Sequence, residues 1–94
     1  MIAILSEVKE SYTYKTVDLS KYRKIIVENH YVSGIYNTIN VRSEISINRF
    51  INECNSNESR LSAGGAYIFA VDSNTIGLYQ AENNYQTYVY GQLK

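Results

Sequence analysis

Apolar and polar residues alternate along this chain in short runs, broken about every ten positions by clusters of turn-forming residues. Strands are expected over residues 2–6 and over Tyr12–Lys15, where aromatic and polar residues alternate. Val17 and Leu19 fall out of phase with Tyr12 and Tyr14. Either a bend restores the phase or the two tyrosines lie on the outer face. Asp18 and Ser20 carry short oxygen-bearing side chains that bond nearby amides and favour a tight turn. Beyond it Leu19 and Tyr22, three residues apart, point the same way.

From Ile25 to Val32 the pattern predicts the best-defined strand. Ile25, Ile26 and Val27 are consecutive and β-branched, a composition suited to a pleated strand. Such a strand is apolar on both sides and must be covered on both. Ser33-Gly34 is a turn signal, and the alternation from Ile35 to Arg42 predicts a hairpin partner. A further strand is expected through Ile47, then one short helical turn, since Ile47, Phe50 and Ile51 match one helical face. Residues 52–65 read as the longest loop. Ala66–Val71 is a second strand apolar on both faces. Asp72-Ser73-Asn74 and Glu82-Asn83-Asn84 turn the chain into strands at Thr75–Gln80 and Tyr85–Tyr90, which Gly91 closes.

Roughly seven short strands with no crossover helix predict an all-β fold, a small antiparallel β-sandwich of jelly-roll-like character. Its 94 residues suffice for a single domain, residues 1–94, with a small core. Two strands apolar on both faces leave more apolar surface than one small sandwich covers, so self-association is expected.

Composition narrows the partners. Nine basic residues balance nine acidic ones, which argues against nucleic acid or an anionic membrane held by long-range electrostatics. Ten tyrosines stand among many Asn and Ser residues, the make-up of surfaces that contact sugars or proteins. One cysteine, Cys54, excludes an internal disulfide, and the start of the chain has neither the basic leader nor the long apolar run of a signal peptide or membrane helix. Synthesis in a reducing cytoplasm is expected.

Candidate chemistry is sparse. His30 is the single histidine, so no multi-histidine metal site is expected and any Ser-His-Asp arrangement would pass through it. Glu28 and His30 share a strand face, where the carboxylate can orient the ring. Cys54 sits between acidic residues that raise a thiol pKa, and Gly64-Gly65 precedes a strand and so reads as loop geometry. No cofactor is expected. The tyrosines remain: Tyr36, Tyr79 and Tyr85 flank turns and are the expected ligand contacts, whereas Tyr67, Tyr88 and Tyr90 sit in apolar strands. Tyr67 is expected in the core or an interface, and Tyr88 or Tyr90 at the subunit interface.

The stretch Val17-Asp18-Leu19-Ser20-Lys21-Tyr22-Arg23-Lys24-Ile25-Ile26-Val27 resembles the opening of small C-terminal β-domains on phage and prophage tail-fibre and minor structural proteins. Thr87-Tyr88-Val89-Tyr90-Gly91 is similar to their hydrophobic-Tyr-Gly close, and Ile45–Phe50 sits where they carry an isoleucine-rich strand running into a phenylalanine. Gln92 departs from the isoleucine frequent at that place. The resemblance implies a homotrimeric, non-enzymatic virion component. It would sit at a fibre tip, bind a host-surface glycan or protein, and make no membrane insertion. The alternatives are a purely structural head or oligomerisation module and an isolated carbohydrate-binding module; a small hydrolase acting through His30 is a third class.

Overall fold

The fold was analysed in a computed structural model, which describes residues 13–56, 58–80 and 84–94 in full and residues 2–8 as backbone. Eight strands form among these residues: β1 (Ile2–Val8), β2 (Thr13–Thr16), β3 (Tyr22–Ser33), β4 (Tyr36–Ser46), β5 (Leu61–Ala63), β6 (Ala66–Asp72), β7 (Thr75–Gln80) and β8 (Tyr85–Leu93). One helix, α1 (Ile47–Glu53), joins β4 to β5. The strands make a front sheet ordered β1-β8-β3-β4 and a back sheet ordered β2-β7-β6-β5, each antiparallel throughout. β1 beside β8 and β2 beside β7 wrap the two ends of the chain together in jelly-roll manner. β3–β4 and β5–β6–β7 are local hairpins. The all-β antiparallel sandwich expected from the pattern is the fold observed.

Between the sheets lie Ile25, Val27 and Val89 from the front and Ile68, Ala70, Ile76 and Leu78 from the back, all buried. Leu19, Ile47, Phe50 and Cys54 close one end of this core. Leu19 belongs to a 3₁₀ turn, Leu19–Lys21, capped as the sequence suggests: Ser20 donates to the Asp18 carboxylate from its backbone N–H at 3.1 Å and its hydroxyl at 2.6 Å. At the other end Asn29, Thr87 and Gln80 are fully buried, and Gln80 Nε2 donates to Asn29 Oδ1 at 2.6 Å and to Thr87 Oγ1 at 3.1 Å.

The strands that are apolar on both sides are covered within the chain at most of their apolar positions. Ile26 faces outward yet is 2% exposed, enclosed by Glu28, Arg42 and Tyr90. Phe69, on the outer side of the back sheet, lies flat over Gly77, where a Cβ would come within 2.6 Å of its ring. At Ile26 and Phe69 the outward apolar groups are covered within the chain, whereas Val71 of the second strand remains 47% exposed. Among the described residues four of the six exposed large apolar side chains gather at the far end of the β3–β4 hairpin, Tyr31, Ile35, Tyr36 and Ile39; the other two are Tyr14 and Val71.

Local differences from the pattern have local causes. The hairpin turns at Gly34-Ile35, with Gly34 at φ +59° in the first central position and Ile35 at negative φ, the type II′ arrangement that matches strand twist. An extra residue at Asn40 opposes the step from Asn29 to His30, so Ile39 faces out with His30 while Val41 faces in with Asn29. The strict alternation from Ile35 to Val41 thus splits between two faces. The strand expected through Ile47 ends at Ser46 as a continuation of β4, with Ile47 opening α1, and Leu61, placed in a loop by its sequence, starts the three-residue β5. Gly91 lies inside β8 and not at its end: Gln92 and Leu93 carry the pairing on against Ile2, Lys24 and Tyr22, and the Tyr22 ring covers the glycine. Tyr14 is on the outer face, 63% exposed. Tyr12 and the Glu82-Asn83 part of the last turn lie outside the described residues. Among the described residues no helix is long and apolar enough to cross a membrane.

Candidate functional site

Register fixes which side chains meet on the outer face of the front sheet. Outward positions are Lys24, Ile26, Glu28 and His30 on β3, Gln86, Tyr88, Tyr90 and Gln92 on β8, and Asn37, Ile39, Arg42 and Glu44 on β4. Glu28 stands directly between Tyr88 and Arg42. Ile26 stands between Tyr90 and Glu44.

These polar groups form one continuous row. Lys24 donates to Glu44 at 3.1 Å; Arg42 reaches Glu44 at 2.8 Å and Glu28 at 3.5 Å. His30 Nε2 lies 2.8 Å from Glu28 Oε1, and its Nδ1 lies 2.6 Å from Asn37 Oδ1, so each ring nitrogen faces an oxygen. Asn37 donates to the Tyr88 hydroxyl at 3.3 Å, which donates to Gln86 at 2.8 Å. The His30 and Tyr88 rings pack with centroids 4.2 Å apart. Glu28 and His30 are nearly buried, at 13% and 12% side-chain exposure, whereas Arg42 and Glu44 are open to solvent. The Glu44 carboxyl is held below its ordinary range, first by the hydrogen bond from Lys24 and further by Arg42.

Two depressions lie along the row. A hollow of about 160 Å³ is bounded by Ile26, Glu28, Arg42 and Tyr90. A larger groove of about 450 Å³ follows at the α1 end, lined by Arg23, Lys24, Glu44, Ser46, Arg49 and Gln92. Cations predominate there. Arg49 also holds Glu53 one turn along α1 at 2.9 Å, the i,i+4 spacing that favours such pairs.

The tyrosines expected to bind ligand are not brought together. Tyr36 sits at the hairpin tip, 66% exposed. Tyr85 opposes Tyr31 across β8 and β3, and the two rings meet edge to face at 5.4 Å. Tyr79 is on the back sheet, stacked on Tyr67 at 4.8 Å, with the Arg60 guanidinium 3.8 Å from the Tyr67 ring centre. That stack lies on the outer face, so Tyr67 is not a core residue. Tyr88 and Tyr90, expected between subunits, stand half-buried in the polar row.

Glu28 and His30, which the sequence puts on one strand face, meet there at 2.8 Å. Their partners on the neighbouring strands, Asn37, Arg42, Glu44 and Gln86, went unnoticed in the sequence. Only the strand register, with its bulge at Asn40, brings them alongside. Cys54 is buried at the end of α1, and its thiol pKa is raised first by that burial and secondarily by Glu53. Among the described residues no three His, Cys, Asp or Glu side chains cluster as metal ligands. Compared with protein-family models, curated proteins and solved structures, the chain matches none.

Proposed function

We propose that this chain is a non-enzymatic recognition domain of a phage or prophage virion, carried at a tail-fibre tip, and that it binds a host-surface glycan on the outer face of the front sheet. The observation that supports it is the row from Lys24 to Gln86, flanked by the Tyr88 and Tyr90 rings. Neighbouring sugar hydroxyls need donors and acceptors side by side, and the apolar face of a sugar ring packs on an aromatic one. Side chains already tied to one another lose little freedom when a ligand arrives. The groove with Arg23, Lys24 and Arg49 suits an acidic substituent on the same glycan. Hydrolysis has less support, because both nitrogens of His30 are engaged, one by Asn37 and one by Glu28.

In this reading Tyr88 and Tyr90 touch ligand and not a neighbouring subunit. Titration calorimetry against host cell-wall polysaccharide is expected to show saturable binding, weakened at least tenfold in Tyr90→Ala and in Arg42→Ala and unchanged in Tyr79→Ala. Absence of binding across a panel of cell-wall glycans would reject the proposal. The second reading, a structural oligomerisation module, draws on the exposed Ile35, Tyr36 and Ile39 and predicts self-association without any glycan binding.

A further inference from the structure

A β-sandwich has four sheet edges, and three are poor templates for a further strand here. β2 has four residues, one of them Lys15, and β5 has three. β1 carries Glu7 in its seven residues. β4 is different: eleven residues long, it forms the free edge of the front sheet. Its lower half carries the charges of Arg42 and Glu44 and lies beside β5, whose Ser62 carbonyl accepts from the Ser43 hydroxyl at 2.7 Å. Its upper half, Tyr36–Asn40, is exposed at every residue.

From Tyr31 to Val41 the chain has no Asp, Glu, Lys, Arg or His. Proteins ordinarily keep an exposed edge from pairing with charge, proline or a bulge. The bulge at Asn40 lies at the limit of this segment and leaves Tyr36 to Ile39 regular. Ile35, Tyr36 and Ile39, at 95%, 66% and 55% exposure, add apolar area at the same place.

We infer that this edge is a dimerisation strand, and that its partner is the same strand of a second copy of this chain, paired antiparallel about a two-fold axis at Thr38. The open backbone N–H and C=O groups of an edge call for another strand. A two-fold partner requires a segment compatible with itself, and this one sets no charge against a like charge. The register places Thr38 opposite Thr38, a favourable cross-strand pair, with Asn37 opposite Ile39 on either side of it. The two front sheets then join into one.

Light scattering with size exclusion on the full chain is expected to give twice the 10.8 kDa monomer mass at micromolar concentration. Ile39→Lys, which puts a charge on an already exposed position, is expected to weaken the dimer at least tenfold while leaving the far-ultraviolet circular dichroism spectrum of the folded chain unchanged. A second variant tests the register itself: Thr38→Cys in a Cys54→Ser background is expected to form an intermolecular disulfide on mild oxidation, because directly opposed residues stand about 4.5–5.5 Å apart. Only monomer at high concentration, a trimer, or a dimer that survives Ile39→Lys and gives no Thr38→Cys cross-link would overturn the inference. So would a dimer lost in Tyr88→Ala or Tyr90→Ala with Ile39→Lys silent. A wild-type chain that binds glycan as a monomer would overturn this inference alone, and a wild-type dimer that binds no glycan would reject the proposed function alone, so the two proposals fail separately.

Discussion

Gly77 and Gly91 are each roofed by an aromatic ring, Phe69 over one and Tyr22 over the other, so close that a methyl group at either would strike the ring. Gly77→Ala and Gly91→Ala should each destabilise the domain by about 1–3 kcal/mol, the range for overpacking a tight site, read as a lowered urea midpoint; an unchanged midpoint would mean that the rings move aside freely. Neither pairing was visible in the sequence, where Gly91 looked like a strand end, because its roof comes from Tyr22 near the opposite end of the chain. Glu44 provides a pH test. Its carboxyl pKa is depressed in the folded state by the Lys24 hydrogen bond, so its contribution to stability is fully present above the ordinary value of 4.5 and is lost as pH falls through the folded value. In Lys24→Met, the Glu44 carboxyl titration followed by NMR should move upward; a fixed midpoint would remove Lys24 as the cause. Cys54 shows another limit of reading residues singly: its polar neighbours suggested an open loop, but its carbonyl accepts from Ala70 N–H at 2.7 Å and draws the thiol into the core.

Among the elements, α1 is the crossover between sheets, and Phe50 is its most deeply inserted side chain, at 0% exposure. Phe50→Ala should cost about 3–5 kcal/mol, as large-to-small changes in a close-packed core do, and chemical denaturation measures it; a cost under about 1 kcal/mol would show that α1 packs loosely. The helical spacing of Ile47, Phe50 and Ile51 disclosed this helix, although it begins at Ile47 and runs to Glu53, longer than the single turn expected. Strands with an apolar stripe and a clear turn, such as β6, β7 and the β3–β4 pair, were legible for the same reason. β5 was not: three residues carry too little periodicity, and only pairing with β6 identifies Leu61–Ala63 as a strand. Bulges behave likewise, since one inserted residue inverts the facing of everything beyond it.

At the scale of the whole molecule, fold class followed from turn spacing and β-branched runs, whereas the candidate site depended on which strands lie side by side. Glu28 and His30 could be paired within β3, but Arg42, Asn37 and Tyr88 become their neighbours only once β4 and β8 flank β3. Two aromatic groupings on different faces, Tyr31 with Tyr85 and Tyr67 with Tyr79, likewise give distinct surfaces that a count of ten tyrosines cannot separate. The place of β8 carries a kinetic consequence. It lies between β1 and β3, so the front sheet has no centre until residues 85–93 are available, and neither β1 nor the inner edge of β3 has a partner before then. Loop closure across nearly the full chain must precede the reward of pairing β1 with β8, which places refolding on the order of milliseconds to seconds. On the ribosome, the sheet is completed only after the last strand has left the exit tunnel.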